Sequence, residues 1–152
     1  MTKILYPGTF NPFTKGHSDI LERILKIAEK VVIGIGVNID KPEAENSANL
    51  RAETIREYLR NKGLHERVDV MVYSGLTAEK AIEIGATCMA RGVRSCADFE
   101  YEYSLAAANR DAFGVETILI PASPELSFVS SSLIREIQKA GEWSLAEKYI
   151  AK

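Results

Sequence analysis

Short apolar runs alternate with longer amphipathic segments along the chain, and this alternation restricts the possible folds more than any other feature. Most of the runs lack the alternation of apolar and polar positions that a half-exposed strand shows. Such strands are buried on both faces, so the β–α order predicts an α/β fold with a five-stranded parallel sheet and helices on both faces. The predicted strands are residues 3–6, 31–37, 68–73, 87–90 and 116–120, and the predicted helices are residues 18–29, 47–61, 77–84, 98–112, 131–140 and 144–150.

Size, charge and cysteine content narrow the class of protein. The 152 residues predict a single domain over residues 1–152. The net charge of -2 argues against a nucleic-acid-binding protein, which more often carries a basic excess. Cys88 and Cys96 lie outside any Cys-x-x-Cys or Cys/His array, so we predict no structural zinc and expect a reducing cytoplasm. The apolar runs are too short for a membrane span or a signal peptide, so no membrane partner is expected.

Three polar segments each follow a predicted strand. In open parallel sheets, ligands bind at the carboxyl ends of the strands, near the point where the strand order reverses. We therefore expect residues 7–17, 91–98 and 122–131 to converge on one edge of the sheet. Residues 40–49 are polar and irregular, and are expected to form a mobile loop.

The segment at residues 7–17 has the composition of a phosphate-binding loop. Gly8 and Gly16 allow tight turns and close approach of the backbone to a ligand. Thr9 offers a hydroxyl and an N–H group, and His17 lies at the start of a predicted helix, where free N–H groups favour an anion. For His17 taken alone, a plain turn followed by a helix is the better explanation, but it does not explain the whole segment. The Gly-Lys-Ser/Thr phosphate loop of other nucleotide-binding proteins is absent.

Two arginines follow the fourth predicted strand. Arginine binds phosphate with two parallel hydrogen bonds and keeps its charge, so Arg91 and Arg94 suit a phosphorylated ligand. The alternative is that both arginines form surface ion pairs with Asp98, Glu100 or Glu102. The residues by themselves leave both interpretations open.

Three consecutive serines begin the fifth predicted helix. A serine at a helix start caps a free N–H group, and capping accounts for one of Ser130, Ser131 and Ser132. The others are available to donate hydrogen bonds to a phosphate.

The three segments together resemble one enzyme family. Thr14-Lys15-Gly16-His17 is similar to the (His/Thr)-x-Gly-His element of the nucleotidylyltransferase superfamily, and Thr in its first position resembles the phosphopantetheine adenylyltransferase family. The strings at residues 91–102 and 127–136 resemble the same family, in the same order and spacing. The resemblance implies a dinucleotide-binding (Rossmann-like) fold and reversible transfer of AMP from ATP to 4′-phosphopantetheine, which yields dephospho-coenzyme A and pyrophosphate. It also implies Mg²⁺ bound with the ATP phosphates, coenzyme A as an inhibitor, and a cytoplasmic homohexamer.

The same resemblance assigns roles to individual residues. It makes His17 the catalytic residue, which binds the ATP phosphates and stabilises the transition state. The further ATP-binding residues that it implies are Thr9, Phe10, Gly92, Val93, Arg94, Glu102, Leu126, Ser127, Phe128, Val129, Ser130, Ser131 and Ser132. The acceptor-binding residues that it implies are Thr9, Lys41, Thr77 and Arg91. It implies no metal ligand among the side chains.

Two other functions remain alternatives at this point. One is another nucleotidylyltransferase of the superfamily, such as a cytidylyltransferase or a nicotinate-mononucleotide adenylyltransferase, which more often carry His where Thr14 stands. The other is a non-catalytic flavodoxin-like binding module. That module explains the β–α alternation but not three phosphate-suited segments at the strand ends.

Overall fold

A parallel β-sheet forms the centre of the molecule. The structure is a computed structural model that describes residues 1–38 and 40–152, with the backbone alone at residues 42 and 43. Within these residues the sheet has five strands in the order β3-β2-β1-β4-β5, and Leu5 of β1 lies between Val32 of β2 and Met89 of β4. The strands are β1 (Lys3–Gly8), β2 (Lys30–Gly36), β3 (Val68–Tyr73), β4 (Cys88–Val93) and β5 (Thr117–Pro121). The predicted fold class is therefore confirmed.

Helices cover both faces of the sheet. The helices are α1 (Lys15–Ile24), α2 (Pro42–Asn61), α3 (Thr77–Glu83), α4 (Cys96–Phe113), α5 (Ser131–Lys139) and α6 (Trp143–Glu147), with a 3₁₀ turn at Pro124–Leu126. Side chains of α1 and α2 pack with Ile4 and Ile33 on one face, whereas α3 packs with Leu5 and Val32 on the other. Because successive strand residues point to opposite faces, β1, β2, β3 and β4 contribute to both cores. A third, smaller cluster joins α5 and α6 beneath Val129.

Several predicted boundaries are wrong for identifiable reasons. Residues 42–49 belong to α2 rather than to a mobile loop, because the proline at the first helical position starts the helix and Ala48 is buried against the core. α3 begins at Thr77, as predicted, with Leu76 at its N-cap position. α6 begins at Trp143, one residue before the predicted start. Gly63 and Gly85 lie just beyond the C-caps of α2 and α3, and both have positive φ.

The order of the strands creates a switch point beside β1. The chain builds β2 and β3 on one side of β1 and then crosses over to build β4 and β5 on the other. The carboxyl ends of β1 and β4 therefore diverge into loops on opposite faces and leave a crevice between them. Gly8 ends β1 and Val93 ends β4 at this crevice.

Candidate active site

A cavity of about 320 Å³ lies at the switch point. Its walls come from the three segments that sequence reasoning placed together, which confirms their convergence. The contributions include Gly8, Thr9 and His17 from residues 7–17, Arg91, Gly92 and Arg94 from the end of β4, and Leu126, Val129, Ser130, Ser131 and Ser132 from the segment that leads into α5.

The loop at residues 7–17 is fixed by side chains that bind its backbone carbonyls. These side chains come from α2, β4 and α5, so three distant parts of the chain set the position of one loop. The bonds run from Arg91 Nη1 to the Pro7 carbonyl (2.5 Å), from Arg51 Nε to the Thr9 carbonyl (3.0 Å), from Arg135 Nη1 to the Asn11 carbonyl (2.6 Å) and from Ser131 Oγ to the Pro12 carbonyl (2.8 Å). An ordered loop is the condition for a preorganised site, because a fixed loop does not have to be ordered when ligand binds.

Gly8 does not form the tight turn expected from the sequence. Its lack of a side chain instead allows the ring of Phe10 to pack against the backbone. Gly8 lies in β1 with ordinary backbone angles. A Cβ at this position would lie 2.9 Å from the ring of Phe10. Phe10 itself is buried, with φ at 50°, so its ring fills the space that the glycine leaves.

Thr14 holds His17 through a reciprocal pair of hydrogen bonds. The His17 N–H donates to Thr14 Oγ1 at 3.1 Å, and the Thr14 N–H donates to His17 Nδ1 at 3.0 Å. This is a capping box, and it starts α1 three residues earlier than predicted. The expectation that the His17 amide is free for an anion is wrong, because Thr14 occupies it. His17 lines the cavity, so its side chain rather than its amide is the group available to a ligand there.

The hydrogen bond to Nδ1 also fixes the tautomer of His17. Because Nδ1 accepts a hydrogen bond from the Thr14 N–H, Nε2 carries the ring hydrogen and is available to donate. The rings of Phe10 and Phe13 flank the imidazole at centroid distances of 4.9 and 5.6 Å. Burial, followed by the charges of Arg94 and Arg91, lowers the pKa of His17 to about 3. Without a ligand, the cavity therefore presents a neutral imidazole with one oriented donor.

The lowered pKa of His17 predicts a pH dependence of stability. Between pH 6.5 and about 3 the unfolded chain protonates this histidine and the folded chain does not, so the free energy of unfolding falls as the pH falls. We expect a loss of about 2 kcal/mol from this residue between pH 7 and pH 5. Urea unfolding at both pH values, compared with His17→Ala, measures it. Equal pH slopes for the wild-type and variant proteins would contradict the low pKa.

Both arginines of the second segment are paired with carboxylates. Arg91 donates two hydrogen bonds to Glu102, from Nε to Oε2 (3.0 Å) and from Nη2 to Oε1 (2.7 Å). Arg94 Nε lies 3.5 Å from Asp98 Oδ2. Burial would lower the pKa of Arg91, but the hydrogen bond and charge of Glu102 outweigh it and raise that pKa. The predicted ion pairs thus form, yet the four side chains line the cavity instead of lying on a remote surface.

Each of the three serines has a separate structural task. Ser130 caps α5 by accepting from the Leu133 N–H at 3.1 Å. Ser131 donates to the Pro12 carbonyl, and Ser132 accepts from Arg135 Nη2 at 3.2 Å. All three line the cavity, so their hydroxyls and the start of α5 are presented to a ligand.

Other residues named from the sequence lie at differing distances from the cavity. Phe10 and Glu102 line it. Val93 is buried at the end of β4, and Ser127 donates to the carbonyl of Pro124. Phe128 packs against Tyr149, and Lys41 is exposed just before α2. None of Val93, Ser127, Phe128 and Lys41 contributes to the walls of the cavities described around the switch point.

A second cavity of about 380 Å³ adjoins the first. The two share Pro7, Gly8, Thr9, Arg91 and Glu102 as a common wall. The second cavity also contains Thr77, whose hydroxyl is 2.8 Å from that of Tyr73. Sequence reasoning missed its remaining walls, which include Tyr73, Leu76, Tyr101, Leu105, Asn109 and Thr117. A signal existed for Tyr73 and Leu76, which flank the end of the third strand, but not for the middle of α4.

Comparison with known proteins identifies the family. The cytidylyltransferase-like family matches residues 5–137. The phosphopantetheine adenylyltransferase of Porphyromonas gingivalis is 44% identical over 137 residues, which cover 90% of this chain and 87% of the relative. This chain belongs to the phosphopantetheine adenylyltransferase family. The member from Leuconostoc citreum is 38% identical and covers 100% of this chain and 93% of its own. Membership in this family excludes the alternative of a non-catalytic flavodoxin-like binding module.

Solved structures show the same fold at low sequence identity. A bifunctional NMN adenylyltransferase/ADP ribose pyrophosphatase from Francisella tularensis superposes with a TM-score of 0.71 at 18% identity, over 99% of this chain and 45% of that one. The nicotinic acid mononucleotide adenylyltransferase of Plasmodium falciparum superposes with a TM-score of 0.65 at 17% identity, over 99% and 91% of the two chains. These neighbours establish the nucleotidylyltransferase fold alone.

The described residues contain neither a helix able to span a membrane nor a cluster of metal-binding side chains. In residues 1–38 and 40–152, no helix has the length and apolar character needed to cross a membrane. The same part of the chain holds no cluster of three or more His, Cys, Asp or Glu side chains arranged to bind a metal ion.

Proposed function

We propose that this protein transfers AMP from ATP to 4′-phosphopantetheine, forming dephospho-coenzyme A and pyrophosphate. The observation that carries this is the common wall of the two cavities. A nucleotide in the first cavity and a phosphorylated arm in the second would meet beside Thr9 and Arg91. The second cavity suits a pantetheine arm, because Leu76, Leu105 and Met89 give apolar contact. Thr77, Asn109 and Thr117 add polar groups for the amides of that arm.

The reaction is an in-line displacement at the α-phosphorus of ATP. An oxygen of the acceptor phosphate forms the new P–O bond, the bond to the bridging oxygen of pyrophosphate breaks, and no proton needs to be removed from the nucleophile. Catalysis then consists of positioning two polyanions and stabilising the charge that develops. Arg91 lies in the common wall and holds the acceptor phosphate, while the Nε2–H of His17 donates to the transferred phosphoryl group.

The donor set of the first cavity fits a metal that arrives with the nucleotide. Asp98 and Glu102 are the carboxylates in the walls, and both are engaged by arginines. Mg²⁺ commonly keeps several waters and is held largely by substrate phosphates. MgATP is accordingly the substrate that we propose.

Pyrophosphate release from MgATP across a set of acceptors tests the function. We expect release with 4′-phosphopantetheine and none with pantetheine, which lacks the nucleophilic phosphate. Release with nicotinate mononucleotide instead would indicate another nucleotidylyltransferase. Binding of ATP without turnover on any acceptor would contradict an enzymatic role. Dephospho-coenzyme A should support the reverse reaction. Coenzyme A carries both a nucleotide and a pantetheine arm, would therefore occupy both cavities, and should inhibit competitively.

We propose a homohexamer, as the family resemblance implies, and helix α4 offers a surface for contact between copies. Of its 18 residues only Glu102 is buried, whereas Phe99, Tyr101 and Tyr103 are 50%, 64% and 61% exposed. Such large apolar side chains on one helix indicate a surface covered by another copy of the chain. A solution mass of six 16.8 kDa chains is the measurement for this assembly. Free Cys88 and Cys96 thiols are compatible with the proposed cytoplasmic location.

A further inference from the structure

The loop after β5 supplies apolar walls to the first cavity. Ala122 and Leu126 line the cavity from this loop, and Ile20 of α1 adds another apolar side chain. The polar groups that suit phosphates include His17 and the arginines at the end of β4. Apolar walls suit a flat nucleobase, so the position of this loop decides how well the nucleoside part of a nucleotide is held.

A carboxylate of α1 fixes the first half of this loop. Asp19 Oδ2 accepts a hydrogen bond from Ser123 Oγ at 2.7 Å, between residues that lie 104 positions apart. Ser123 is the N-cap of the 3₁₀ turn that carries Leu126, and its carbonyl accepts from the Leu126 N–H at 2.9 Å. Hydrogen bonds to a carboxylate are stronger than those between neutral groups. Asp19 holds the turn from outside, because it belongs to the walls of neither cavity described at the switch point.

The two ends of the loop are held independently. Arg23 follows Asp19 by one helical turn, and its Nη1 lies 3.6 Å from Asp19 Oδ2 and donates to the Pro121 carbonyl at 2.5 Å. At the far end of the loop, Ser131 donates to the Pro12 carbonyl at 2.8 Å. Loss of the Asp19 carboxylate would therefore release the 3₁₀ turn while the start of α5 keeps its own anchor.

We propose that Asp19 is a positioning residue for the nucleoside part of the nucleotide. Since α1 also carries His17, the bond to Ser123 ties the helix with the phosphate donor to the turn that bounds the base. The two parts of the cavity are thereby placed relative to each other before a ligand binds, which lowers the cost of ordering the site. This role rests on the proposed transfer of AMP, and it assigns no contact between Asp19 and a substrate.

Binding of AMP and of inorganic pyrophosphate isolates this role. Calorimetry compares wild type with Asp19→Ala, Asp19→Asn and Ser123→Ala. Glu22→Ala removes a carboxylate from an exposed position of the same helix and is the matched control. We expect Asp19→Ala and Ser123→Ala to weaken AMP binding about tenfold and to leave pyrophosphate binding unchanged. Asp19→Asn keeps an acceptor oxygen for Ser123, so it should bind AMP nearly as wild type does, and so should the control.

Steady-state kinetics give a second readout. We expect Asp19→Ala to raise KM for MgATP by a similar factor and to change kcat little, because His17 keeps its own bonds to Thr14. KM for 4′-phosphopantetheine should also change little. The double variant Asp19→Ala/Ser123→Ala should lose no more AMP affinity than either single variant, because both substitutions remove the same bond.

Three results would overturn the proposal. If Asp19→Ala binds AMP as tightly as Glu22→Ala does, Asp19 does not position the nucleoside. If pyrophosphate binding falls as much as AMP binding, the substitution disrupts the whole cavity. If Asp19→Asn loses as much affinity as Asp19→Ala, the bond to Ser123 is not the link. Ser123→Ala keeps the test decisive if Asp19→Ala fails to fold, which its thermal unfolding would show. Failure of the wild-type protein to bind AMP or ATP would instead refute the proposed function.

Discussion

Replacing His17 with alanine is expected to lower kcat by about 10²–10³-fold, the usual loss when one preorganised donor to a developing charge is removed. The bond from the Thr14 N–H to Nδ1 leaves Nε2–H as the free donor of a ring that lines the cavity, and the rings of Phe10 and Phe13 flank it. A donor that contacts the phosphoryl group most strongly in the transition state changes kcat and kcat/KM together. Steady-state kinetics with MgATP and 4′-phosphopantetheine measure both constants.

The other histidine provides the control for this experiment. His65 is exposed and remote from both cavities, so His65→Ala should retain wild-type kinetics. His17→Gln carries an amide donor near the position of Nε2 and should recover part of the lost turnover, because the proposed role is donation by a neutral group. Near-normal turnover of His17→Ala would refute the assignment of His17 as the catalytic residue.

The architecture was predictable because it depends on local pattern. The strands are runs of β-branched residues, and glycines with positive φ end the helices at Gly63 and Gly85. The start of α2 was missed because its first turns are polar, and a polar helix carries little periodic signal. Tertiary packing of Ala48 and Ala52 fixes that helix instead.

The chemistry of the site was predictable only in part. The loop, the arginines and the serines are contiguous motifs, and the sheet topology brings them together. Their internal connections are not local. Arg51 reaches a carbonyl 42 residues earlier in the chain, and Arg135 reaches one 124 residues earlier. Sequence alone does not specify which arginine crosses to which carbonyl, so these long-range connections emerge only from the folded structure.

Replacing Glu102 with glutamine is expected to impair both stability and acceptor binding. The Glu102 side chain is 8% exposed and that of Arg91 is 32% exposed, and two hydrogen bonds join them. Glutamine offers one acceptor oxygen and turns an N–H₂ group toward the guanidinium, so the paired bonds cannot both form. Breaking a fully buried pair costs about 3–5 kcal/mol. Because Arg91 reaches solvent, we expect about 2 kcal/mol in the free energy of unfolding.

The kinetic consequence separates two roles for Glu102. If Glu102 acts by positioning Arg91, the variant should raise KM for 4′-phosphopantetheine about tenfold or more and change KM for MgATP little. A rise in KM for MgATP alone would indicate direct contact with the nucleotide, as the family resemblance implies. The matched control is Glu116→Gln, which breaks the exposed pair with Arg110 (3.0 Å) and should change stability by less than about 1 kcal/mol. If both variants behave alike, Glu102 does not position Arg91 for the acceptor phosphate.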